Sequence, residues 1–198
     1  MAARIAVLAS GGGTNLQAIL DHFATIPNPA GTVVLVASNR EKSGALERAH
    51  AAGIPIEVFD ATDDGTALLT LLDEAAADLI VLAGYLKHVP ENVIRRYHGR
   101  IINIHPGLLP DFGGPGMYGS RVHAAVLASG ATSTGLTIHF VDDEYDHGPV
   151  IAQWRVRVKI DDTAESLAER VLSAEHIVYP RVVDMVAAMN NAGLAANF

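Results

Sequence analysis

Two hydrophobic rhythms alternate along the first half of this chain. Residues 5–9 (IAVLA) form an unbroken apolar run, as expected for a strand buried on both faces. Residues 15–23 then carry apolar side chains at helical spacing. The alternation continues with a strand over 32–38, a helix over 43–52 stopped by Gly53, a short strand over 56–59 and a helix over 66–76. A buried strand over 79–83, a helix over 91–98 and a strand over 101–104 follow. Such alternation implies βαβ units and a parallel sheet with helices on both faces. The second half differs. Residues 107–119 are rich in Gly and Pro and read as a loop, and 120–128 as a helix. Residues 133–141 and 149–158 read as a strand pair joined by 142–148. Residues 163–189 read as a long helix, N-capped at Asp162-Thr163, that Pro180 should kink or interrupt. The predicted fold class is α/β: a Rossmann-like, mostly parallel twisted sheet with helices on both faces, a C-terminal strand pair and a long helix.

Composition narrows the picture. The 198 residues fit one domain, taken as 1–198, and 49% hydrophobic content with 6% aromatics predicts a core of Val, Ile, Leu and Ala. Cysteine is absent, which excludes disulfides, thiolate metal sites and a Cys nucleophile, and suits a reducing, cytoplasmic setting. The net charge of −8 and the lack of any Lys/Arg cluster disfavour a nucleic-acid partner. No signal peptide and no run of about 20 apolar residues is present, so no membrane association is expected.

In a parallel sheet, ligands sit beyond the carboxyl ends of the strands, and the loops after Ala9, Ala83 and Ile104 fall there. The first, Ser10-Gly11-Gly12-Gly13-Thr14-Asn15, joins a strand to a helix. It is either a tight turn or a phosphate cradle, where glycine backbone and a helix N-terminus meet an anion. The dinucleotide fingerprint fails at Leu16, and no Gly-Lys-Ser/Thr of a P-loop follows. The last of these opens in Asn103-Ile104-His105-Pro106, whose alternation puts Asn103 and His105 on one face. An amide beside an imidazole suits oxyanion stabilisation and proton transfer. The connection of the later strand pair, residues 142–148, holds four acids in seven positions. It is either a solvated hairpin tip or a loop in which one acid turns inward to favour the charged form of a histidine. A further reading gathers His105, His123, His139 and His176 with an acid around a metal, although no local ligand spacing supports it. His22, His50 and His98 read as solvated.

Together with residues 7–17 (VLASGGGTNLQ), 82–86 (LAGYL), 102–110 (INIHPGLLP), 137–141 (TIHFV) and 146–151 (DHGPVI), these segments carry a resemblance. In order and spacing, from about Arg4 to Tyr179, the chain resembles the phosphoribosylglycinamide formyltransferases, folate-dependent enzymes of purine synthesis. The Asn-x-His-Pro segment and the later Asp-x-Gly mark the wider formyltransferase superfamily. The glycine loop and Glu175-His176 narrow it to this branch.

The resemblance implies direct transfer of a formyl group from 10-formyltetrahydrofolate to the amine of glycinamide ribonucleotide, without metal, by a monomer or homodimer. It implies Asn103, His105 and Asp146 as the catalytic trio. Gly13, Thr14 and Asn15 would hold the phosphate side of the ribonucleotide and Glu175 its glycinamide end. Leu86, Lys87, His88, Val89, Val141, Asp142, Asp143 and Glu144, with Asn103, would line the folate site. The N-terminal half is thus expected to bind phosphate, and the C-terminal half to bind folate and perform the chemistry. Two departures stand out. No basic residue lies between Asp60 and Asp78, where the family often places an arginine near the folate, and the stretch 113–119 is longer than in many members. Rival readings are another folate formyl enzyme, acting on a sugar nucleotide, a tRNA or water, and a non-catalytic nucleotide-binding module. The module would leave the trio unexplained.

Overall fold

A computed structural model describes residues 1–194; residues 195–198, the end of the predicted 1–198 domain, lie outside the described residues. Strands β1 (Ala3–Leu8), β2 (Gly31–Ser38), β3 (Ile56–Val58), β4 (Leu79–Leu82) and β5 (Ile101–His105) are parallel, in the order β3-β2-β1-β4-β5. β6 (Ser133–Phe140) lies antiparallel beside β5, and β7 (Val150–Arg157) antiparallel beside β6. The helices are α1 (Thr14–Thr25), α2 (Gly44–Ala51), α3 (Thr66–Glu74), α4 (Glu91–Arg96), α5 (Ser120–Ala128) and α6 (Ala164–Asn191).

The apolar run of β1 has no polar break because both of its faces are covered. Ile5, Val7 and Ala9 pack with Leu16 and Ile19 of α1, Ala45 of α2 and Val183 of α6. Ala6 and Leu8, on the opposite face, pack with Leu68 and Leu72 of α3 and Val93 of α4. Each fully buried Leu or Ile contributes roughly 1.5–3 kcal/mol. β3 is an edge strand, and its Ile56 and Val58 stay exposed, as a half-covered edge allows.

The long helix is capped as the sequence suggests. Thr163 accepts from Ser166 N while Ser166 Oγ accepts from Thr163 N, a reciprocal cap. Asp162 instead binds the Arg170 guanidinium. The expected interruption at Pro180 does not occur: α6 runs unbroken through it to Asn191. Packing supplies the reason. Tyr179, Pro180, Val182 and Val183 are buried around that turn. The Tyr179 hydroxyl donates to Leu82 O at 2.9 Å, and lies 3.4 Å from Ile102 O, fastening the turn to β4 and β5. A missing backbone N–H there is outweighed by tertiary contact.

Strand order reverses between β1 and β4, so the loops that leave these two strands diverge and open a crevice. β5 extends to His105, one residue beyond the predicted end, so its imidazole is held by the sheet rather than by the following loop.

Candidate active site

A cleft of about 430 Å³ opens over the carboxyl ends of β4 and β5 and is walled by α5, α6 and the β6–β7 connection. The glycine loop leads to it through Asn15, the one residue of 10–15 that lines the cleft. Ser43 Oγ and Ala45 N donate to Gly11 O, Arg48 Nε donates to Gly12 O at 2.9 Å, and Gln17 N donates to Gly13 O. With its carbonyls engaged, the loop leaves the N–H groups of Gly11, Gly12 and Gly13 without a partner among the described residues. Gly13 adopts φ 73° and caps α1 with no side-chain bond, so the positive end of that helix is open to an anion. A Cβ at Gly13 would lie 2.5 Å from the Cα of Ala45, so glycine is required there for packing as well.

Ser10 links this loop to the next. Its N–H donates to Gly84 O, its hydroxyl donates to Asn39 Oδ1 at 2.6 Å and accepts from Leu86 N at 3.1 Å. The backbone entering 86–89 is thereby fixed from β1. Leu86, Lys87, His88 and Val89 all line the cleft, as do Val141, Asp142 and Glu144 across from them. The two segments meet where His88 Nε2 bonds the Asp143 carbonyl at 3.1 Å and stacks edge-on with Tyr145. Asp143 itself does not line the cleft, and its side chain is exposed. Lys87 is the one lysine or arginine in the lining among the described residues.

On the remaining wall, Asn15 Nδ2 donates to Glu175 Oε2 at 2.7 Å, and both residues line the cleft. Burial pushes the Glu175 carboxyl above its ordinary range, opposed by the Asn15 bond and by the charge of His105. Asn15 Oδ1 is buried without a partner. Gly13 is buried and does not line the cleft, and Thr14 faces a separate groove with Gln17 and Arg48.

The polar centre is built on the β5–β6 pairing. Asn103 sits opposite His139 and His105 opposite Thr137. Of the four acids in 142–148, only Asp146 turns into the cleft centre, from a left-handed backbone at φ 55° that Asp tolerates. Its Oδ2 lies 3.4 Å from His105 Nδ1 and its Oδ1 3.7 Å from His139 Nε2, and it accepts from Gly114 N at 3.0 Å. Burial would raise its pKa. The His105 and His139 rings set against it, the charge of His105 and the Gly114 N–H overcome that and hold it well below the usual carboxylate range. His105 Nε2 is 2.7 Å from the Phe112 carbonyl. Both ring nitrogens of His105 therefore face acceptors. Asn103 Nδ2 is 3.1 Å from His139 Nε2, whose ring is fixed through Nδ1 to the Phe140 carbonyl. One amide hydrogen of Asn103 remains for a ligand.

Sequence reasoning brought Asn103, His105 and Asp146 together but missed His139 as their fourth member. The antiparallel pairing of β6 with β5 was the signal, since it sets His139 opposite Asn103. His123, named from sequence only as a possible metal ligand, lines the cleft from α5, and sequence reasoning missed Tyr85, whose buried hydroxyl is pushed up to about 12 by desolvation and by the nearby Tyr145 and Asp63. The four histidines of the metal reading do not assemble. His176 faces the separate groove between α1 and α6, and among the described residues no group of three or more His, Asp or Glu is disposed to hold an ion.

A doubly covered, mostly parallel sheet with a ligand cleft beyond the carboxyl ends of β4 and β5, carrying a half-buried amide, two buried imidazoles and a carboxylate, defines an α/β enzyme-type cleft of Rossmann-like design. A sequence profile described as Formyl transferase matches residues 3–183. The chain belongs to that formyl transferase family. It is 40% identical to the phosphoribosylglycinamide formyltransferase of Escherichia coli, over 92% of this chain and 86% of that one. It is 44% identical to the chloroplastic phosphoribosylglycinamide formyltransferase of Arabidopsis thaliana, over 92% of this chain but 65% of that one. The chain thus spans a little under two thirds of its plant relatives, and 18% of the bovine trifunctional purine biosynthetic protein, to which it is 41% identical. The crystal structure of phosphoribosylglycinamide formyltransferase from Brucella melitensis superposes with a TM-score of 0.86 at 40% identity, covering 95% of this chain and 97% of that one.

Proposed function

We propose that this chain transfers the formyl group of 10-formyltetrahydrofolate to the amine of glycinamide ribonucleotide, a step of purine synthesis. One observation carries the reading: the Asn103, His105 and Asp146 cluster faces Glu175 and Asn15 across one cleft whose third wall is 86–89 with 141–144. Residues 1–198 act as one formyltransferase domain, in which the N-terminal loop with its unpartnered N–H groups takes the phosphate. The Glu175 carboxyl and the free Asn15 oxygen are acceptors, suited to the N–H groups of a glycinamide. The apolar walls and backbone of 86–89 and 141–144 take the pterin.

In this reading the amine attacks the formyl carbon and a C–N bond forms. Charge moves to the formyl oxygen, where the free Asn103 N–H and His105 meet it, and Asp146 stabilises the imidazolium. The oxyanion must take over the His105 N–H that now points at Phe112 O, so ligand binding shifts that carbonyl or shares the proton. Collapse breaks the bond to the folate nitrogen, which takes the proton that the amine gives up. Glycinamide ribonucleotide and 10-formyltetrahydrofolate are the small-molecule partners, no metal takes part, and the setting is cytoplasmic.

The test is the purified chain with both compounds, followed by folate absorbance and detection of the formylated ribonucleotide. Folate consumption without the ribonucleotide, with release of formate, marks a hydrolase instead. No consumption with either acceptor overturns the proposal.

A further inference from the structure

Among the described residues, His123 is the buried histidine of the cleft that makes no hydrogen bond. It stands on α5, which packs on α6, the helix carrying Glu175. It is 3% exposed, lines the cleft, and its Nδ1 is buried with no hydrogen-bond partner. Buried polar atoms in folded proteins are nearly always bonded, so an orphan at a cleft wall points to a bond completed by something that enters the cleft. The alternative, a merely structural histidine, has no bond here to justify it.

Desolvation, with the neighbouring charge of His105, lowers the affinity of this ring for a second proton. A neutral imidazole offers one donor and one acceptor and little attraction for an anion. It suits a hydroxyl or amide. The helix it stands on packs against α6, which carries Glu175, so the group it meets is assigned to the ribonucleotide and not to the pterin. We propose that His123 is a binding residue for the neutral ribose or glycinamide portion of the ribonucleotide, reached when the ring turns about its Cβ–Cγ bond to bring a nitrogen to the ligand. This inference rests on the function proposed above.

Its test begins with the wild-type assay. A wild type that does not formylate glycinamide ribonucleotide overturns the functional reading itself. With an active wild type, His123→Leu and His123→Gln are compared. His123→Leu is expected to raise the Tm of the unliganded protein, because a buried unpaired nitrogen is removed, while raising KM for the ribonucleotide about tenfold or more. KM for the folate and the shape of the pH–rate profile should stay as in wild type. His123→Gln, which keeps a donor and an acceptor, should recover part of the ribonucleotide affinity. Independently, the wild-type His123 ring nitrogens should shift in ¹⁵N NMR when the ribonucleotide is added without folate, a readout that survives even if a variant misfolds. Unchanged ring signals, an unchanged ribonucleotide KM in a folded His123→Leu protein, or equal losses for both substrates overturn the assignment.

Discussion

Asp146 ties several parts of the site together, since it faces His105, His139 and Gly114 at once. Asp146→Asn keeps the side-chain shape and tolerates the left-handed backbone, so it removes charge with little rearrangement. The rate at pH 7 should then fall about 10²–10⁴-fold, with the alkaline limb of the pH–rate profile displaced to lower pH. Substrate affinities should change far less, because the interaction is strongest in the transition state. A stability signature accompanies this. A carboxyl held below its unfolded pKa stabilises the fold at pH above the unfolded value, and that contribution disappears as pH falls through the folded value. Denaturation across pH 2–7 should therefore show wild type and Asp146→Asn converging at the acid end. An unshifted alkaline limb would leave Asp146 as a structural loop residue. The inward turn of this acid, and not Asp142, Asp143 or Glu144, was not legible in a run of four carboxylates. It depends on one left-handed residue and on two imidazoles, that of His139 from the strand just before the loop and that of His105 from β5, far away in sequence.

Among elements, the glycine loop shows how one motif serves two purposes. From sequence, a side chain at Gly13 would obstruct an approaching phosphate. In the structure its Cβ would strike Ala45 of α2, and a positive φ adds about 1–2 kcal/mol of strain for any other residue. Gly13→Val should thus lower stability and weaken both substrates together. Gly12 has open space around its position and an ordinary backbone, so Gly12→Ala should keep the wild-type Tm. It should raise KM for the ribonucleotide while leaving the folate KM in place, if the loop cradles phosphate. Thermal melts with the two KM values for both variants decide this, and a Gly12→Ala protein indistinguishable from wild type would exclude the cradle. The strand-to-helix placement of the loop was readable from periodicity. The anchoring of its carbonyls by Ser43, Ala45 and Arg48 was not, because those partners belong to the next βα unit.

At the scale of the whole molecule, α6 is the clasp that holds the cleft wall to the sheet. Tyr179, fully buried, gives its hydroxyl to Leu82 O at the end of β4, close to Ile102 O of β5, one turn beyond Glu175. Tyr179→Phe leaves that carbonyl without its donor and should cost about 1–3 kcal/mol in denaturant unfolding. Because the ring remains to fill the core, the protein should fold and retain most of its rate, with any loss appearing in the ribonucleotide KM through Glu175. A stability equal to wild type would show that water satisfies the carbonyl instead.

The sequence by itself determined the order and type of nearly every element, since strands covered on both faces and helices covered on one differ in period and in polarity. It also determined Asn103 and His105, because alternation within a single strand places them together. Tertiary structure decided the rest. β5 and β6 had to pair antiparallel before His139 could meet Asn103 and Asp146. α6 had to cross the sheet before Glu175 could reach Asn15 across 160 residues of chain, with the burial of Tyr179 carrying the helix through Pro180. Helical and strand periods are local properties of the chain. A bond between distant segments depends on how whole layers pack, which no local pattern records.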